Sequence, residues 1–193
     1  APEDRRTLLF SATIARDIAV LAKRYQNDAI RIDTVDRNQP HIDIEYRAMR
    51  VIPNQIEGAV VNVLRYFEAP SVLVFCSTRA SVNNLQAALL ERGFASVALS
   101  GEMGQRERNE ALQALRDGRA RVCVATDVAA RGLDLPDLGL VVHAELPINK
   151  ATMLHRSGRT GRAGKKGISV LLVPQSRRRK AEMLLGSAGV EAE

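Results

Sequence analysis

The residues best suited to chemistry lie between His155 and Gly164, in the stretch His-Arg-Ser-Gly-Arg-Thr-Gly-Arg-Ala-Gly. Arg156, Arg159 and Arg162 recur at three-residue spacing, which on a helical turn would place them on one face. A guanidinium offers planar donors matched to phosphate oxygens. The interleaved glycines let a backbone turn sharply and approach a ligand closely. From His155 to Lys180 there are nine Lys or Arg and no Asp or Glu, whereas Ala1–Pro40 carries seven basic and six acidic residues. The net charge of +6 is therefore concentrated, as phosphate recognition requires. A solvated charge run is the ordinary reading of such a stretch; the glycines and the missing acids weigh against it.

A second charged constellation is Ala125–Leu138, ATDVAARGLDLPDL. Asp127, Arg131 and Asp134 interrupt an otherwise apolar run, and buried charges must be paired. Arg131 could pair with either carboxylate for purely structural reasons. Alternatively, Asp134 could face a nucleotide sugar and Thr126 a nucleic-acid backbone. Smaller polar clusters end other apolar runs: Ser77-Thr78-Arg79, Ser100-Gly101 followed by Gln105-Arg106-Glu107-Arg108, and Thr126-Asp127. Each reads equally as a helix cap, at Ser77, Ser100 or Asp127, or as an anion site at a helix start.

The elements that must position these residues alternate. Strands are expected at Thr7–Phe10, Ile30–Asp33, Ile42–Ala48, Val72–Phe75, Val97–Leu99, Val122–Ala125, Leu140–His143 and Ser169–Val173. Helices are expected at Ala15–Tyr25, Asn54–Phe67, Arg79–Arg92, Gln105–Arg116, Ala151–Arg156 and Arg177–Ser187. Strand followed by helix, repeated, predicts an α/β, doubly wound, mostly parallel sheet with helices on both faces. VLVF and RVCVA lack polar alternation, as strands buried on both sides should. In such sheets ligands bind beyond the carboxyl ends of the strands, where the polar clusters fall. The polar, Pro-containing stretch Thr34–His41 reads as a linker. It divides a strand–helix–strand piece, residues 1–33, from a main domain, residues 42–193.

Composition narrows the chemistry. Aromatics are 4% of residues with no Trp, so the core must be aliphatic and aromatic base stacking cannot dominate a nucleic-acid contact. Cys76 and Cys123 sit in apolar runs and read as buried core residues. No Cys/His cluster has metal-ligand spacing, and no metal site is expected. No apolar stretch approaches the ~20 residues of a membrane span, and a cytoplasmic location is expected. GRTGRAGKKG resembles a phosphate loop, but no Gly stands five residues before Gly164 or Gly167. His41 and His143 stand alone and read as core or surface residues.

Taken together, these stretches resemble the DEAD-box RNA helicases. HRSGRTGRAG (155–164) is similar to their motif VI, ATDVAARGLDLPDL to motif V, VLVFCSTR (72–79) to motif IV, GEMGQRER (101–108) to the Q-x-x-R element, and Ser11-Ala12-Thr13 to motif III. Order and spacing match over nearly the whole chain. Related helicase families usually carry Gln at the place of His155 and Ala at that of Thr160; Ser157 departs from the usual Ile. The resemblance implies the second RecA-like domain of an ATP-dependent RNA helicase, with residues 1–33 the tail of the first. Arg159 and Arg162 would be arginine fingers on ATP, and Asp134, with Gly132 nearby, would contact the ribose. Thr78, Arg79, Gly101, Gln105, Arg108 and Thr126 would hold the RNA backbone. Ser11, Thr13, Arg131, His155 and Arg156 would couple the two sites. The P-loop, acidic box and Mg²⁺ ligands would lie in the first domain, so this chain alone is expected to be inactive. RNA and that first domain are the expected partners. Self-pairing through an exposed Thr7–Phe10 strand edge would give a homodimer. A DNA-directed helicase half, or a nucleic-acid-binding module without ATP, remain the alternatives.

Overall fold

The computed structural model describes residues 7–10, 16–26, 29–30, 32, 43–131, 138–161 and 164–193. The chain divides into two units, Ala1–Arg37 and Asn38–Glu193. The first contains helix α1 (Arg16–Tyr25). Thr7–Phe10 does not form the expected strand, and Ile30 and Ile32 also lie in no strand. A strand exists through its ladder partners, and apolar β-formers without a neighbouring strand stay irregular. The linker stretch 34–41 lies outside the described residues, as do Ser11 and Thr13.

The second unit is one six-stranded, wholly parallel sheet. In chain order it comprises β1 (Ile44–Val51), α2 (Ile56–Phe67), β2 (Val72–Cys76), α3 (Arg79–Glu91), β3 (Ser96–Leu99), α4 (Gln105–Arg116), β4 (Val122–Thr126), α5 (Asp127–Ala130), β5 (Leu140–His143), α6 (Lys150–Ser157), β6 (Gly167–Pro174) and α7 (Arg178–Ala188). The strand order is β1-β6-β5-β2-β4-β3, and every pairing is parallel. Most elements match expectation within a residue or two. The short helix α5 was not anticipated, because four residues are too few to show a helical period.

Alternation along each strand sorts side chains between two faces. Val72, Val74 and Cys76 of β2 pack with Val60 and Leu64 of α2 and Val82, Leu85 and Leu89 of α3. Leu73 and Phe75 point the other way, onto Ala111, Ala114 and Leu115 of α4 and Ala129 of α5. Near β6, Met153 of α6 and Ala181 and Leu184 of α7 cover Leu171 and Val173. All five β2 residues are buried, which explains the unbroken apolar run. Cys76 and Cys123 are buried free thiols whose pKa burial pushes up to about 12. β2 leads into α3 on one face, and its neighbour β5 leads into α6 on the other. The switch point, and hence the favoured crevice, lies between their carboxyl ends.

Candidate functional site

Loops from three strands, β2, β4 and β5, converge on that crevice. Thr78 follows β2 and caps α3, its Oγ1 accepting a hydrogen bond from the Ser81 amide at 3.1 Å. Thr126 ends β4 and caps α5 in the same way, accepting from the Ala129 amide at 3.4 Å. After β5, Asn149 caps α6 by accepting from the Thr152 amide at 2.8 Å. The Glu145 carboxylate reaches across to the Ser77 amide at 3.1 Å, tying the β2 and β5 loops together. Each cap fixes where a helix starts, and so where the residues following it point.

Arg156 is the keystone of this crevice. It is 2% exposed. Its Nε and Nη2 donate to the two Asp127 oxygens at 2.7 and 2.8 Å, and its Nη1 donates to the Glu145 carbonyl at 2.7 Å. The guanidinium also lies 5.0 Å from the centre of the Phe75 ring. A buried cation is tolerable only when paired and hydrogen-bonded in this manner. Arg131, which could have paired with Asp127 or Asp134, is exposed, and Asp134 lies outside the described residues. Pairing came from α6, 29 residues along the chain, and not from the neighbour in sequence.

The three-residue arginine spacing does not make one helical face. α6 ends at Ser157, with Gly158 as its C-cap. Arg156 faces inward, while Arg159 lies half-buried in the following turn, its amide bonded to the Arg156 carbonyl at 3.1 Å. Beyond it, Thr160 is 1% exposed and its Oγ1 donates to the Leu138 carbonyl. Gly161 adopts φ +62°, and a Cβ there would stand 2.6 Å from Ile44 Cγ1. Only glycine fits such a left-handed, crowded position. A cleft of ≈ 280 Å³ opens above Phe75 and Asp127, and it gathers Arg131, His155, Arg156 and Arg159. Arg162, Gly132 and Asp134 lie outside the described residues.

The other predicted residues line the adjoining part of the same sheet edge, beyond β2, β4 and β3. Arg79 is exposed and paired with Glu102. Such a surface pair contributes little and can exchange for another anion. Gly101 has no steric requirement, since an added Cβ would meet nothing closer than Val128 at 3.9 Å. Gln105 is exposed and donates to Asn109 at 2.9 Å. Arg108 is directed inward, to the Ala129 and Arg131 carbonyls at 2.7 and 3.4 Å. It holds the end of α5 in place.

Comparison with known proteins fits this geometry. Residues 57–164 match the helicase conserved C-terminal domain. The chain is 37% identical over 191 residues to DEAD-box ATP-dependent RNA helicase 9, mitochondrial, of Arabidopsis thaliana, covering 97% of this chain and 31% of that protein. It is 38% identical over 186 residues to the ATP-dependent RNA helicase DbpA of Escherichia coli, covering 95% and 40% respectively. Among solved structures, Saccharomyces cerevisiae Dbp5 bound to RNA and ADP BeF3 superposes with a TM-score of 0.86 at 27% identity, over 99% of this chain and 51% of that one. A DEAD-box protein of Methanococcus jannaschii gives 0.74 at 33% identity, over 99% and 51%. This chain belongs to the DEAD-box helicases, as their C-terminal RecA-like domain. It spans about a third of the length of those curated relatives.

Beneath the cleft, this helicase domain holds a polar cluster that residue patterns alone did not reveal. His143, fully buried at the end of β5, has its Nε2 3.3 Å from Ser157 Oγ and 3.1 Å from Ser169 Oγ, and the two hydroxyls stand 2.9 Å apart. Burial, with the Arg156 charge nearby, holds the imidazole pKa well below its usual value, so it is neutral at pH 7. Ser157 is where α6 is bonded to the sheet. Phe75 and Glu145 were likewise missed as site residues. Asp127 was singled out as a charge in an apolar run that needs a cation, but its partner was not identified.

Proposed function

We propose that this domain is the second motor half of an ATP-dependent RNA helicase that separates short duplexes by closing, together with a first RecA-like domain, on ATP and RNA. Arg159 and Arg162 reach the terminal phosphate of ATP held by the first domain. Asp134, with Gly132, meets the ribose. Thr78, Arg79, Gly101, Gln105 and Thr126 hold the RNA backbone, with Arg108 fixing the α5 end beside them. Mg²⁺ accompanying the ATP is held by the first domain. Ser11 and Thr13, with Arg131 and His155, take part in coupling.

The observation that carries this reading is the Arg156–Asp127 pair. Thr126, on the RNA side, caps the helix whose first residue is Asp127. Asp127 is gripped by Arg156, and Arg159 follows three residues later. A shift of the Thr126 segment is therefore delivered to the finger through a rigid ion pair. Fingers act on charge that develops in the transition state and are worth roughly a thousandfold or more in rate. In the full-length protein, Arg159→Ala should lower RNA-stimulated ATP turnover by about that factor while leaving RNA affinity unchanged. Normal turnover in that variant would sink the assignment.

A further inference from the structure

The concentrated positive charge of the sequence is only partly absorbed by the crevice. Arg156 is buried in its pair. Lys165 and Lys166 precede Gly167, the first residue of β6, and so lie at the amino edge of the sheet. Arg177, Arg178, Arg179 and Lys180 lie elsewhere. They follow Pro174, the last residue of β6, across one 3-10 turn (Gln175–Arg177) and open α7. That is the carboxyl edge, the edge that also presents Thr78, Gly101 and Thr126.

On its own this arrangement is electrostatically unfavourable. Four adjacent cations repel one another. A helix N-terminus also carries partial positive charge and favours anions, yet α7 has no acidic residue in its first turn and no side-chain cap. Arg177, Arg178 and Arg179 are exposed and Lys180 is half-buried. Among the described residues, Glu182 pairs with Arg178 at 2.7 Å, and no carboxylate pairs with Arg177, Arg179 or Lys180. A shallow groove of ≈ 260 Å³ between β1 and α7 adds the exposed Arg50, which shares its wall with Arg178. β6 lies two strands from β2 and three from β4. With strands ~4.8 Å apart, the cluster stands roughly 10–15 Å from Thr78 and Thr126 along one edge.

We propose that Arg177, Arg179 and Lys180, with Arg50, form a second phosphate-binding patch that takes the backbone of the same RNA strand beyond the Thr78–Thr126 surface. This rests on the RNA reading of that surface. The patch consists of cations with no aromatic among them, so it grips phosphates and carries no base preference.

The test is a fluorescence titration of the 193-residue chain with an oligouridylate of about 15 nucleotides, across salt from about 50 to 200 mM. Single strands contribute a log–log salt slope of about 0.7 per neutralised phosphate. Arg177→Gln with Arg179→Gln should therefore lower the slope by about 1.4. Lys165→Gln with Lys166→Gln removes the same charge at the amino edge and should leave the slope unchanged. Thermal melts at the parent value would show that both variants fold. Equal losses in the two variants mean non-specific attraction and overturn the patch. No loss in the α7 variant overturns it too, and assigns the cluster to another anionic partner such as an acidic protein segment. Arg79→Gln on the same RNA separates the two levels. If it weakens binding while the α7 variant does not, the RNA reading stands and the patch falls. If the parent chain does not bind the RNA, both fall.

Discussion

Replacing Arg156 with Met should unfold this domain early, and the size of the effect follows from the geometry. Met keeps most of the volume over Phe75 but no donor. Breaking a buried ion pair by removing one partner costs about 3–5 kcal/mol. The Asp127 side chain is 33% exposed, so water reaches it and the lower end applies. The Glu145 carbonyl also loses its Arg156 donor at 2.7 Å, which adds roughly 1 kcal/mol. The expected loss is about 4 kcal/mol. Urea denaturation followed by circular dichroism should show the midpoint falling by about 2 M, for a slope near 2 kcal/mol per M. Asp127→Asn should cost less, and a double-mutant cycle should return a coupling of about 2 kcal/mol between the two positions. Arg131→Ala, at an exposed side chain, should stay within about 0.5 kcal/mol of the parent. If Arg156→Met melts like the parent, or if Arg131→Ala is the costlier change, the pair does not fasten α6 to α5 and the coupling route fails.

Two further outcomes are expected. His143 has a folded pKa below its unfolded value, so the unfolded chain takes up the proton first; stability should hold above about pH 6.5 and fall by up to about 1.4 kcal/mol per unit as pH drops below it. Chemical denaturation between pH 7 and 5 should show that slope in the parent and lose it in His143→Gln. Gly161→Ala combines a left-handed φ with a Cβ 2.6 Å from Ile44, and should cost at least about 2 kcal/mol; a melt within error of the parent would show that the turn relaxes freely.

Much of the fold is already present in local pattern. The run VLVFC is apolar at every position because β2 is covered on both faces, and a strand with that surrounding has no polar side to show. Gln105–Arg116 declared itself by helical period. The clusters ending β2 and β4 were recognisable as caps or anion contacts, but the caps expected at Ser77 and Asp127 fall one residue away, on Thr78 and Thr126, and the N-cap of α4 is Gly104 rather than Ser100. What local pattern could not supply is pairing across the chain. Arg131 stands four residues from Asp127 and was one of the cations within reach of it in sequence, yet Arg156 holds Asp127 from 29 residues away. An ion pair is set by which side chains tertiary packing buries together, and packing is decided by strand order, which no run of neighbours encodes. The same holds for His143, Ser157 and Ser169, three unremarkable residues from β5, α6 and β6 that become one buried network only when those elements meet. Strand order likewise separated the positive run: it sent Arg156 inward, left Lys165 and Lys166 at one edge of the sheet, and carried Arg177–Lys180 to the other, beside the ends of the strands that bear the site.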